Sequence, residues 1–382
     1  MAKAKIMSVI GTRPEAIKMA PVLQKLDRIT ELEAVLVATA QHRELLDEVF
    51  DLFNLKPNYD LDIMSVDQSL TTITIKILQH LKEIIVQEEP DLILVHGDTT
   101  TTFAAAVAAF YQKCAVAHIE AGLRSYNKHE PYPEEINRRL TGVLADLHFA
   151  PTEQNHNNLL TEGVHAEKIF ITGNTVIDTV LSVVQSDYQF ARSCLNNLFL
   201  QGEKVILVTA HRRENLGQPL SNICRACKLL AESNPALKIV WPVHPNPQVR
   251  EIVYSKLDNM DNIFLLAALN YIDFINLMAR SYLVVTDSGG LQEEAPALNK
   301  PVLVLRDRTE RQAGLKVGTL QLIGTETKNI ISVVTELLTS QAKYHQMISI
   351  QNPYGDGQAS QRIVDYLKYY FDLSTTKPPS FS

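Results

Sequence analysis

The chain has 382 residues, 46% apolar and 21% charged, which suits a globular protein of about two domains and excludes disorder, collagen and coiled coil. Lys plus Arg number 36 and Asp plus Glu 43, a net charge of −7 that offers no general attraction for nucleic acid or anionic membrane but allows a local anion site. The N-terminal apolar stretch runs into Arg13-Pro14-Glu15 and no later run reaches ~18 apolar residues, so neither a signal peptide nor a membrane span is expected.

In chain order, candidate strands are Lys5–Ile10, Ala34–Ala38, Leu92–His96, Ala115–Ile119, Leu147–Phe149 and Ile169–Thr172. After a break come Val205–Thr209, Ile239–Pro242, Ile263–Leu266, Leu283–Thr286, Val302–Leu305 and Leu320–Leu322. Most are unbroken apolar runs, as strands buried on both faces are. Amphipathic stretches such as 14–26 and 70–86 lie between them. Strand and helix in alternation predict an α/β fold with two Rossmann-like, doubly wound domains and a cleft between them at the strand carboxyl ends. The first domain is expected over residues 1–173, a helical linker over 174–203 and the second domain over 204–357. SVIGTRPEAIKM early in the first half and LVTAHRRENLGQ early in the second form a weak internal echo. The cluster NPYGDG reads as a turn and hinge, and the last residues, STTKPPSFS, as a frayed end. Four cysteines, at 114, 194, 224 and 227, are too few for a disulfide framework and suit a cytoplasmic location. Cys224-x-x-Cys227 falls in an amphipathic helix pattern and reads as core or surface more than redox or metal.

Loops after strands bind ligands in open α/β sheets, and six here are more polar than packing requires. Gly11-Thr12-Arg13-Pro14-Glu15 combines a tight turn with a helix start, with Lys18 one turn on. That is either an anion site or an ordinary turn carrying a surface arginine. Neither G-x-G-x-x-G nor a P-loop is present, which weakens a nicotinamide or P-loop reading. Asp98, in His96-Gly97-Asp98 ahead of four threonines, is a helix cap or an acid/base group, with the threonines offering hydroxyls near a ligand. Glu120 stands where a strand leaves the core, and Glu134 and Glu135 either join it or face a helix dipole. Convergence of Asp98, Glu120 and Glu134 would raise at least one carboxyl pKa, as proton transfer near neutrality requires.

In the second half, His211 and Arg212 at a strand end suit a phosphate or diphosphate. His244 among prolines is a weaker case of the same kind. Ser288-Gly289-Gly290 lets backbone N–H groups approach a phosphate, and Glu294 points back toward them to take a ribose diol. Arg306 to Arg311 adds guanidinium at the same edge. No spacing matches a metal or haem site, and no G-x-S-x-G nucleophile elbow occurs. The residues favour a nucleotide-sugar or phosphoester site.

The blocks GTRPEAIKMAPV, TAQHRELLD, LVHGDTTTTFA, HIEAGLRS, PYPEEINRR, HFAPT, TGNTVIDT, TAHRREN, VHPNP, TDSGGLQEEAP, KPVLVLRDRTER and NPYGDGQAS, in this order over about residues 5–370, resemble the bacterial UDP-N-acetylglucosamine 2-epimerase family. The resemblance implies two Rossmann-like domains of glycosyltransferase-B type, a C-terminal helix over 358–373 crossing back to the first domain, a homodimer and no bound cofactor. It implies inversion at C2 of UDP-GlcNAc to give UDP-ManNAc, by elimination of UDP to 2-acetamidoglucal and re-addition, in support of cell-surface polysaccharide synthesis. Asp98, Glu120 and Glu134 match the family's acid/base carboxylates, and His211 matches a residue that steadies the leaving UDP. Arg13 and Lys18 match phosphate- or sugar-side contacts; Phe274, Ser288, Gly289, Gly290, Glu294 and Arg311 match UDP contacts. Gln41, His42, Gln68, Arg212 and His244 match positions of a second, activating UDP-GlcNAc site. Two departures stand out: Asp67 replaces a basic residue beside Gln68, which predicts weakened activation, and Gln312-Ala313 replaces Pro-Glu after Arg311. Alternatives are a hydrolysing relative releasing ManNAc and UDP, an epimerase of a modified UDP-HexNAc, and a catalytically silent nucleotide-sugar binding module.

Overall fold

The structure, a computed structural model, describes residues 3–39, 43–63, 68–199 and 202–381. The chain divides into two units, Met1–Thr179 with Tyr354–Ser382, and Val180–Pro353. It begins with β1 (Ala4–Ile10), α1 (Arg13–Leu26), β2 (Leu32–Ala38), α2 (Arg43–Phe53), β3 (Tyr59–Asp60), α3 (Leu70–Glu88) and β4 (Leu92–His96). Then come α4 (Thr100–Tyr111), β5 (Ala115–Ile119), α5 (Glu134–Leu144), β6 (Leu147–Ala150), α6 (Glu153–Thr161), β7 (Ile169–Ile171) and α7 (Thr175–Val183). Next are α8 (Ser193–Asn197), β8 (Val205–Thr209), α9 (Gln218–Ser233), β9 (Lys238–Pro242), α10 (Pro247–Leu257), β10 (Ile263–Leu266) and α11 (Tyr271–Arg280). The order closes with β11 (Leu283–Thr286), α12 (Leu291–Ala297), β12 (Val302–Val304), α13 (Gln312–Val317), β13 (Leu320–Leu322), α14 (Thr327–Thr339), α15 (Gln341–Ile348) and α16 (Ala359–Tyr370).

Among the described residues the first unit holds a seven-stranded sheet ordered β3-β2-β1-β4-β5-β6-β7, and the second a six-stranded sheet ordered β10-β9-β8-β11-β12-β13. The strand pairings are parallel throughout. Both units are therefore doubly wound α/β, as the apolar strands lead one to expect. In each sheet the strand order reverses beside the first strand. The loops after β1 and β4, and after β8 and β11, flank those switch points, where ligands of such sheets bind. The sequence echo falls on two of these loops, after β1 and after β8.

Each unit has its own apolar core. In the first, Met7, Val9, Ile77, Leu81, Ile93 and Val95 pack together with the small residues Ala104, Ala105 and Ala108 of α4. In the second, fully buried Trp241 packs with Val208, Ile223, Cys224, Cys227 and Leu303. Burial pushes the Cys224 thiol up to about 12 and the Cys227 thiol up as well, so the C-x-x-C pair forms part of the core.

Two expectations are corrected. The stretch 174–203 is not one helix: α7 stops at Val183 and α8 covers five residues. Side chains of α11 take up the intervening backbone groups: Asn276 Oδ1 accepts from Gln185 N at 2.9 Å, and Arg280 donates to Tyr188 O at 2.7 Å. The C-terminal residues are docked rather than frayed. Phe381 is buried, its N–H donates to Ile171 O of β7 at 2.8 Å, and Arg362 lies over its ring. α16 packs on α1, and buried Asp178 fixes its start by accepting from Ala359 N and Ser360 N at 3.1 and 2.8 Å.

Candidate functional site

In the first unit the site grows from three loops at the sheet's carboxyl end. After β1, Thr12 begins α1 with a capping box in which Glu15 reaches back. Glu15 is buried, and its Oε2 accepts from Gly11 N and Thr12 N at 2.9 and 2.7 Å. Its Oε1 accepts from Thr99 Oγ1 at 2.5 Å and Thr102 Oγ1 at 2.9 Å. Burial pushes the Glu15 carboxyl up against the pull of these donors. This acid joins the two switch-point loops. Sequence reasoning passed over it, although the Thr12-x-x-Glu15 spacing was a signal. It also corrects the threonine expectation, since the Thr99 and Thr102 hydroxyls face Glu15 and Thr101 faces Thr39 at 3.2 Å.

Asp98 is not the helix cap, because Thr99 holds that place through Thr102 N. Asp98 forms an ion pair with Arg138 of α5, and Asn137 Nδ2 donates to its backbone oxygen at 3.0 Å. Burial pushes its carboxyl up, Arg138 draws it down, and the Glu120 charge pushes it up again, leaving it raised. Glu120 follows β5 with φ 61, a left-handed conformation rare for a residue with a side chain. Its Oε1 pairs with Lys18 and accepts from Asn174 Nδ2 at 3.0 Å, while Oε2 lies 3.9 Å from His96 Nδ1. Gly97 leaves room beside it, since a Cβ there would come within 3.3 Å of Oε2. Lys18, Asp98 and Glu120 thus share one electrostatic neighbourhood.

Glu134 opens α5, and its Oε2 is buried without a hydrogen-bond partner. It lies one turn before Asn137 and Arg138, which hold Asp98, and so on their helix face. Glu135 has a different job: it accepts from Ser125 N and Tyr126 N at 2.9 and 3.2 Å and fixes the preceding loop. Arg13 sits at the first position of α1 with its Nε buried and unpartnered.

In the second unit, fully buried Asp287 follows β11 and organises the loop after β8. Its Oδ2 accepts from His211 N, Arg212 N and Asn215 Nδ2 at 2.8, 2.9 and 3.0 Å, and its Oδ1 lies 3.5 Å from His211 Nδ1. The His211 ring stacks on His244 at 5.0 Å, and burial followed by His211 lowers the His244 pKa. Asp287 is a second residue that sequence reasoning did not single out. Ser288 to Gly290 complete the turn into α12. Glu294 folds back as expected, since a Cβ on Gly290 would lie 3.2 Å from its Oε1. Arg311 donates from Nε to Glu293 Oε1 at 2.8 Å and from Nη1 to Glu310 Oε1 at 2.7 Å. Burial works to raise Glu310, but Arg311, Arg306 and Arg212 bring it down to about 2. Phe274 is half-buried on α11. These groups present cations, small backbone turns and a carboxylate at one switch point.

Of the remaining expected residues, Gln68 belongs to the first unit and donates to Ile63 O at 2.7 Å. Gln41, His42 and Asp67 lie outside the described residues. Among the described residues no cluster of three His, Cys, Asp or Glu suits a metal ion, and no helix is long and apolar enough to cross a membrane.

Comparison with known proteins identifies the family. The UDP-N-acetylglucosamine 2-epimerase family model matches residues 24–368. A UDP-N-acetylglucosamine 2-epimerase of Bacillus subtilis is 49% identical over 383 residues, covering 100% of both chains. A Neisseria meningitidis UDP-GlcNAc 2-epimerase, solved bound to UDP-GlcNAc, has a TM-score of 0.87 at 48% identity and covers 96% of this chain and 100% of its own. Staphylococcus aureus MnaA, solved with UDP, has a TM-score of 0.90 at 48% identity, with 99% and 100% covered. The chain belongs to the UDP-N-acetylglucosamine 2-epimerase family.

Proposed function

We propose that this protein interconverts UDP-GlcNAc and UDP-ManNAc by inverting C2, through elimination and re-addition of UDP. The observation that carries the reading is the grouping of Asp98 and Glu120 with Lys18 and Arg138 at one switch point, in a chain of this family. The C2–H bond of the sugar is not acidic, so direct deprotonation is a poor route. Departure of UDP with its bonding electrons from C1, as a carboxylate takes the C2 proton, gives 2-acetamidoglucal. Returning a proton to the opposite face of C2 while UDP re-adds at C1 completes the inversion. Asp98, Glu120 and Glu134 are the acid and base groups in this scheme, and burial raises the Asp98 carboxyl, the direction that favours its holding a proton.

His211 steadies the departing diphosphate, with its ring placed by Asp287 and His244. Ser288, Gly289, Gly290, Glu294, Phe274 and Arg311 hold the uridine diphosphate, and Arg13 and Lys18 act on the phosphate or sugar side. Glu293 and Glu310 pre-orient the Arg311 guanidinium, which favours bidentate phosphate contact. Gln41, His42, Gln68, Arg212 and His244 are proposed as contacts for a second, activating UDP-GlcNAc, with Asp67 weakening the response.

A homodimer is part of this reading. Ile136, Leu140 and Val143 form an exposed apolar stripe on α5, and Phe110 and Tyr111 are exposed at the end of neighbouring α4. A cytoplasmic location accords with four unpaired thiols. Incubation with UDP-GlcNAc and NMR of the products tests the reaction. UDP-ManNAc is the expected product; free ManNAc with UDP would instead identify a hydrolase.

A further inference from the structure

Two unlike groups meet at one oxygen of the Glu120 carboxylate. Lys18 brings a charge to Oε1, and Asn174 brings a neutral N–H to the same oxygen at 3.0 Å. Asn174 is buried and directly precedes α7. Its Oδ1 accepts from Val176 N at 3.1 Å, capping the helix. With that oxygen committed to a backbone N–H, the amino end of the amide faces Glu120. The Asn174 backbone N–H donates to Tyr354 O at 2.7 Å, at the point where the chain re-enters the first unit. The approach there is close: a Cβ on Gly173 would lie 3.3 Å from Gly355 Cα.

We propose that Asn174 is a positioning residue for Glu120, fixing Oε1 so that Oε2 is the oxygen presented to the sugar. The proposal rests on the acid/base reading of Glu120 given above. A neutral donor directs the carboxylate without neutralising it, a role that Lys18 alone does not fill. Lys18 from α1, His96 from β4 and Asp98 after β4 also face Glu120, with Arg138 from α5 acting through Asp98.

Two variants separate positioning from mere helix capping. Asn174→Asp keeps the shape and the cap, since Asp caps as well as Asn, but turns the donor into a second carboxylate. It should keep a thermal midpoint within a few degrees of wild type, lower kcat about tenfold or more at similar KM, and move the acid limb of kcat/KM up by about one pH unit. Asn174→Ser also caps but is too short to reach Glu120, so kcat should fall with a smaller shift of the limb. Should the Asp variant misfold, the Ser variant decides alone. If the folded variants keep kcat within twofold and leave the limb in place, the proposal is overturned. The Glu120 carboxyl resonance, assigned through Glu120→Gln, provides a reading that needs no substrate. Wild type inactive on UDP-GlcNAc would sink the proposed reaction, whereas an unmoved Glu120 titration in Asn174→Asp would sink the positioning role.

Discussion

Lys18 and Glu120, 102 residues apart in the chain, form an ion pair between α1 and the end of β5. The sheet order makes this pair: β1 and β4 are neighbours, and β5 adds beside β4, so the loops after all three strands emerge together. The lysine charge also lowers the Asp98 carboxyl that burial raises. Lys18→Gln should therefore push Asp98 up further. The limb of the pH–rate profile that requires the ionised carboxylate then moves to higher pH, and activity at neutral pH falls about tenfold. A pH profile of kcat/KM on UDP-GlcNAc checks this, with circular dichroism confirming the fold.

Much of this frame was legible in the sequence. Strands such as Leu92–His96 and Val205–Thr209 announce themselves because both faces are buried, and the polar residues just beyond them stand out against that background. What was not legible depends on partners distant in the chain. Glu15 looks like one more acid at a helix start until the loop after β4, 84 residues on, brings Thr99 to it. Asp287 reads as part of a small-residue turn, yet its bonds run to the loop after β8. The tail has the polar, proline-containing composition of a loose end, and a single phenylalanine reverses that reading.

That phenylalanine can be tested. Phe381 is 8% exposed, and the Tyr366 hydroxyl donates to Pro378 O at 2.9 Å in the same segment. Phe381→Ala should lower stability by about 2–3 kcal/mol, slightly below the range for a fully enclosed phenylalanine. The expected readout is a lower urea midpoint with turnover per folded molecule unchanged. An unchanged midpoint would mean that the tail does not stay docked in solution.

Three buried histidines lie near one another in the first sheet, at the end of β4 (His96), in β5 (His118) and in β6 (His148). His118 Nε2 bonds Gly97 O at 2.7 Å, just before Asp98. Burial lowers their pKa values to about 4, 3 and 4. An unfolded histidine titrates near ~6.5, so between that value and the folded pKa the unfolded chain binds more protons. Their stabilising effect is complete above pH ~6.5 and is lost as pH falls through about 4 and, for His118, about 3, on the order of several kcal/mol in all. Urea unfolding should show stability dropping over that window, and His118→Gln should make the slope shallower by about one proton. Equal slopes in both proteins would show that His118 is not held neutral.

Glu134 separates function from fold most cleanly. A buried carboxylate oxygen normally has a donor, because desolvation without one costs about 1–3 kcal/mol or more. Among the described residues Glu134 Oε2 has none, although Glu135 beside it has three bonds to the loop and to Arg138. Such an oxygen is poorly explained by stability and well explained by a partner on the substrate. Glu134→Gln replaces the charge without changing the volume and breaks no protein bond at Oε2. It should leave the melting temperature equal to or slightly above wild type and reduce kcat by about 100-fold or more. Glu135→Gln should do the reverse in part, since it weakens the bonds to Ser125 and Tyr126 that set the loop. If Glu134→Gln melted early and kept its turnover, Glu134 would be a framework acid, and the proton transfers would rest on Asp98 and Glu120 alone.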